Sequence, residues 1–121
     1  MADASLHLTW GTPVVGRETQ GLMVFQEALA FWGKHKEAGN IESLRVGLAR
    51  EGAFTQVSGY MLVEGSAAKL STITDSDDYK RLIVKAMHIV ENIHITACEA
   101  DTAVPLAVER LISVRKTLGI G

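Results

Sequence analysis

The sequence predicts an α+β fold, a β-α-β-β-α-β succession closed by a C-terminal helix, with four strands in one antiparallel sheet ordered 4-1-3-2. Three observations carry this. Four short segments alternate apolar and polar side chains with the period of a half-buried strand. Two longer runs, one after the first such segment and one before the last, repeat their apolar residues every three or four positions. The second and third alternating segments are joined by a stretch short enough for a hairpin. The 121 residues are expected to form one domain over 1–121, enough to bury a core without disulfides or a metal.

The first strand contains "LHLTWG", 6–11, with Leu6, Leu8 and Trp10 on one face and His7 and Thr9 on the other. "GTPVVGRE" follows as a loop punctuated by Pro13 and Gly16. A helix is predicted over 17–38, its stripe made by Leu22, Phe25, Leu29 and Trp32 and widened by Ala28 and Phe31. Lys34 and Lys36 suit its C-terminal end, and Gly39 can take the left-handed conformation that stops it. Segments 41–50 and 57–65 alternate again, the first through Leu44, Val46 and Leu48, the second through Met61 and Val63. Ser66 caps a short helix through Ile73, and Asp75 or Ser76 caps the next, whose buried stripe is Tyr79, Leu82, Ile83, Ala86 and Met87. The fourth strand is expected over 90–100, with Ile93, Ile95 and Ala97 facing the core. A terminal helix capped by Asp101 or Thr102 tolerates Pro105 in its first turn and draws an apolar face from Val104, Val108, Leu111 and Leu118.

Composition narrows the function classes. A formal charge of −2 leaves no basic footprint for nucleic acid. No apolar run approaches the length of a membrane span, and "MADASLH" lacks the charged and apolar regions of a secretory signal. One cysteine, Cys98, excludes an internal disulfide and a multi-cysteine zinc site. A cytoplasmic protein of bacterial style is the expectation. "GTPVVGRE" lacks phosphate-loop spacing, and neither G-x-S-x-G nor H-E-x-x-H occurs. No cofactor and no metal site are expected.

The segments "W-G…P…G-R-E…AL.F…G.IES", "G-Y-M-L-V-E-G" and "S-D-D-Y-K-R-L" resemble a family of small uncharacterised bacterial proteins of the dimeric α/β-barrel, ferredoxin-like type. The resemblance runs through nearly the whole chain up to the terminal helix. It implies a homodimer. The wider superfamily includes cofactor-independent monooxygenases, haem-dependent enzymes, dye-decolourising peroxidases and ligand-sensing regulator domains, and sharing the fold does not select among them. A haem enzyme would need an axial ligand in a wide pocket, and the sequence offers only unanchored histidines.

In the 4-1-3-2 order the face away from the helices carries His7, Thr9, Ser43, Arg45, Tyr60, Leu62, Glu64, Asn92, His94, Thr96 and Cys98. Such a face can stand in water or meet a second copy and close a barrel, and the family resemblance favours the second. His7 and His94 could act as an acid–base or ligand pair, although structural or interface histidines are the commoner case. Tyr60 and Arg45 could hold an anionic or aromatic ligand; cross-strand packing is the plainer use of both. Trp10, Phe31 and Met61 are the apolar candidates, as pocket lining or simply as core. His35 reads as solvated among lysines, His88 as a helix-end cation, Arg17 as a cross-structure partner, and Cys98 as a plain strand cysteine.

The candidate ligand-binding set is therefore His7, Trp10, Phe31, Arg45, Tyr60, Met61 and His94. The expected function is a homodimer that binds a small apolar or aromatic molecule in the sheet–helix cleft or the barrel. The alternatives are a cofactor-independent monooxygenase or isomerase, and an assembly protein with no ligand.

Overall fold

The computed structural model describes residues 2–120. Its strands are β1 (Ala4–Trp10), β2 (Ser43–Leu48), β3 (Gly59–Gly65) and β4 (His94–Glu99). They form one antiparallel sheet in the order β2-β3-β1-β4, which is the expected order read from the other edge. Its helices are α1 (Glu18–Glu37), α2 (Ala67–Thr74), α3 (Asp77–Ile89) and α4 (Val104–Thr117), the last preceded by one 3-10 turn, Asp101–Ala103.

Period-two alternation sets the core. Leu6 and Leu8 of β1 lie opposite Val63 and Met61 of β3, and all four are buried. Trp32 of α1, Ile41, Leu70 and Ile73 of α2 and Tyr79 of α3 close over them. Ser66 caps α2 by accepting the Lys69 N–H, and Ser76, not Asp75, caps α3 by accepting the Tyr79 N–H. Asp3 accepts the Ala67 N–H at 2.7 Å and fastens the start of α2 to the start of β1. Arg17 donates to the His88 carbonyl at 2.5 Å, so the first residue before α1 holds the last turn of α3. Gly39 ends α1 at φ 77°.

Several expectations are corrected. Leu22 and Met87 are exposed, while Gly21 and Val24 face inward. A stripe read from spacing is wide enough to be rotated by one residue without breaking its period. β4 begins at His94, because Asn92 adopts φ 53° and donates its side-chain amide to the Thr55 carbonyl at 2.6 Å. Asn92 therefore belongs to the turn and not to the sheet face. Asp101, at φ 44°, and Thr102 lie in the 3-10 turn, and α4 starts after Ala103 with no side-chain cap. His35 is half-buried against the Phe31 ring, 4.8 Å between centroids, and bonds Asn40 at 3.0 Å.

Burial pushes the Tyr79 phenol above its ordinary range. The folded chain then holds that proton more tightly than the unfolded chain does. Its contribution to stability is complete below about pH 10, the unfolded value, and is lost as pH rises through the higher folded one. Tyr79→Phe is expected to flatten this alkaline loss while changing stability little at neutral pH. Urea melts of both proteins on either side of about pH 10 check it, and parallel alkaline slopes would contradict it.

Candidate functional site

The seven candidate residues do not form one site. Four stand on the open face of the sheet, two line a cleft on the helix side, and Phe31 joins neither.

On the open face the register builds a grid of three rows across β2, β3, β1 and β4. The first row is Gly47, Tyr60, Thr9 and His94; the second is Arg45, Leu62, His7 and Thr96; the third is Ser43, Glu64, Ser5 and Cys98. His7 and His94 thus share a face, as period two requires, and each is one diagonal step from the other around Thr9. Diagonal neighbours on adjacent strands sit about 7–8 Å apart, so the two imidazoles and the Tyr60 phenol gather at one end of the face. His7, Arg45, Tyr60 and His94 are all exposed. Ser5 is buried and its hydroxyl bonds the His7 ring at 3.2 Å, while Ser43 donates to Glu64 at 3.0 Å. The Tyr60 ring lies across Gly47, where a side chain would collide with it. Glycine there lets an exposed aromatic lie flat on the sheet.

On the other face Trp10 and Met61 line a narrow apolar cleft between the sheet and helices α1 and α3, with a cavity volume of about 60 Å³. Trp10 packs across Gly59 and against Phe25, 5.8 Å between ring centroids. Gly21, Ala28 and Ala86 are the small residues that leave the space, and no lining residue carries a titratable side chain. Tyr60 and Phe31 are absent from it. Tyr60 is on the opposite face, and Phe31 packs half-buried against Trp32, His35 and Tyr79 beside the cleft.

A third feature was not foreseen. Among the described residues an open groove of about 630 Å³ runs between β4 and α2. Ile95 and Ala97 on its sheet side are exposed although they point to the core face. The sequence signal was the shortness of α2, eight residues, which cannot span the sheet.

Among the described residues no group of three or more His, Cys, Asp or Glu is placed to hold a metal ion, and no helix is long and apolar enough to cross a membrane. Cys98 is a free, half-buried thiol.

No family model matches the chain, and no curated protein matches its sequence. Solved structures do match its fold. A dimeric ferredoxin-like protein of unknown function from Jannaschia sp. aligns with a TM-score of 0.59 at 16% identity, covering 80% of this chain and 99% of its own. A hydroxynitrile lyase from Passiflora edulis aligns with a TM-score of 0.62 at 9% identity, covering 84% and 97%. SnoaB, a cofactor-independent oxygenase from Streptomyces nogalater, aligns with a TM-score of 0.58 at 10% identity, covering 86% and 99%. These structures agree in backbone and differ in stated activity, so what the chain shares with them is the ferredoxin-like fold.

Proposed function

We propose that the chain is a cytoplasmic homodimer that binds a small apolar molecule or aromatic ring in the cleft between α1, α3 and the sheet, without chemistry at that cleft. The observation that carries the reading is the lining: Trp10, Phe25, Met61 and their neighbours offer apolar surface and no acid or base. Apolar cavities accept apolar guests. At about 60 Å³ the cleft is well under the roughly 150 Å³ in which a dry engineered cavity takes benzene. The helices must therefore part to admit a ring.

Xenon is the first probe because it needs little opening, and benzene the second. Saturable shifts of the Met61 methyl resonance are expected with both. Ala28→Leu, which adds three carbons to the cleft, is expected to abolish them while leaving the fold intact. A Met61 methyl indifferent to xenon would overturn the cleft as a binding site.

A second reading, a cofactor-independent monooxygenase or isomerase, draws on the gathering of His7, Tyr60 and His94 around Thr9. Acid–base work requires those groups within hydrogen-bond reach of an enclosed substrate, and on this sheet enclosure requires a second copy. The oxygenase and the lyase that share the fold support keeping this reading in view.

A further inference from the structure

Tyr79 is 8% exposed. Its backbone N–H is held by Ser76 and its ring packs against Trp32, but among the described residues nothing bonds its hydroxyl. A buried tyrosine ordinarily finds a partner for its O–H, and phenylalanine would serve the packing alone. Every fully enclosed side-chain oxygen or nitrogen among the described residues has a partner. The unpartnered Tyr79 oxygen is therefore not enclosed. It reaches open space, and the space that Tyr79 lines is the groove between β4 and α2.

The rest of the groove says what could meet that hydroxyl. Its volume of about 630 Å³ falls within the roughly 300–1,000 Å³ of small-molecule sites. Buried Leu6 and Leu70 and exposed Ile95 and Ala97 give it apolar surface. Ala67, Ser71 and Thr74, spaced by four and three, turn one side of α2 to it. Asp3 and Glu99 line it, and no lysine, arginine or histidine does. Asp3 already accepts the Ala67 N–H, and Glu99 already meets Arg110 at 3.4 Å. An anion would find no counter-charge in the lining and two carboxylates beside it. Burial keeps the Tyr79 phenol protonated at neutral pH, so its hydroxyl is a donor that lacks an acceptor.

We propose that the groove between β4 and α2 is a second binding site, for a neutral and mostly apolar carbonyl compound. Its oxygen accepts from the Tyr79 hydroxyl, and its hydrocarbon part lies on Ile95 and Ala97. The site shares no lining residue with the cleft between α1 and α3, so the two stand or fall separately.

Titration of the full chain with methyl naphthyl ketone, followed by amide and methyl resonances, tests it. Two further probes accompany the ketone: ethylnaphthalene, which keeps the shape without the oxygen, and naphthoate, which adds a negative charge. The ketone is expected to shift Leu70, Ile95 and Ala97 saturably and to leave Met61 unmoved. Tyr79→Phe should weaken ketone binding about fivefold, the scale of one neutral hydrogen bond, and leave ethylnaphthalene binding as it was. Ala97→Phe, at an exposed position, should fill the groove and abolish both. Ketone binding indifferent to Tyr79→Phe would overturn the proposal, as would naphthoate binding as tightly as the ketone. Shifts at Met61 in place of Ile95 and Ala97 would move the ligand to the other cleft, and no shift at any of them would leave the groove without a ligand of this class; either result overturns the site.

Discussion

Trp32→Ala is expected to cost about 3–5 kcal/mol of folding stability, the range for removing a large aromatic from a packed core. Trp32 is 1% exposed. Its ring meets Phe31 edge-on at 5.1 Å and Tyr79 at 6.0 Å between centroids, so it ties α1 to α3 above the sheet. Truncation removes both ring contacts and leaves a hole beside an already incomplete packing, the cleft that Trp32 helps to line. With a urea dependence of about 1–3 kcal/mol per molar, the midpoint should fall by about 1 M or more. Leu22→Ala is the matched comparison. The two residues share the stripe that spacing predicts for this helix, but Leu22 is 58% exposed and its truncation should change stability by no more than about 0.5 kcal/mol. Equal losses from the two variants would show that α1 sits rotated from the orientation described here.

That pair also shows where sequence reading stops. Alternation in β1, β3 and β4 makes the strand faces legible, because a one-residue slip would expose Leu6, Leu8, Met61 and Val63 together. The open face, including His7 and His94 on one side, is legible for the same reason. Helical spacing is a weaker guide: it places Leu22 and Trp32 on one stripe but does not say where along that stripe the sheet makes contact. The apolar side of α4 is equally plain in the sequence. Periodicity shows that a face wants covering and says nothing about what covers it, so α4 reads as another packed helix although none of its residues is buried. The candidate residues divide for a different reason. Trp10, Tyr60 and Met61 group easily as aromatic and sulfur-bearing residues near glycines, but adjacent positions in a strand point to opposite faces, and Tyr60 is parted from Met61 by that rule. The β4 groove depends on a helix being too short, which no motif records.

A single charge placed at the centre of the open face should dissociate the proposed dimer. Leu62 and His7 face one another across β3 and β1 in the middle row of the grid, with Arg45 and Thr96 at its ends. In a two-fold interface each substitution occurs twice, so Leu62→Asp or His7→Asp buries two like charges against the partner's copy of the same surface. A desolvated charge without a partner is costly, and the dissociation constant is expected to rise at least 100-fold, about 2.7 kcal/mol. Light scattering should read about twice 13.1 kDa for the parent and the single-chain mass for either variant at the same concentration. Neither change touches the core, since His7 is exposed and Leu62 points away from the helices, so folded monomers are the expected product. Arg45 sharpens the test. If the two faces meet, a new carboxylate at position 62 lies beside the Arg45 of its own neighbouring strand, and that pairing should leave Leu62→Asp less disruptive than His7→Asp. If the face stands in water, both variants leave the mass unchanged, and the gathering of His7, Tyr60 and His94 loses the enclosure that any chemistry there would require.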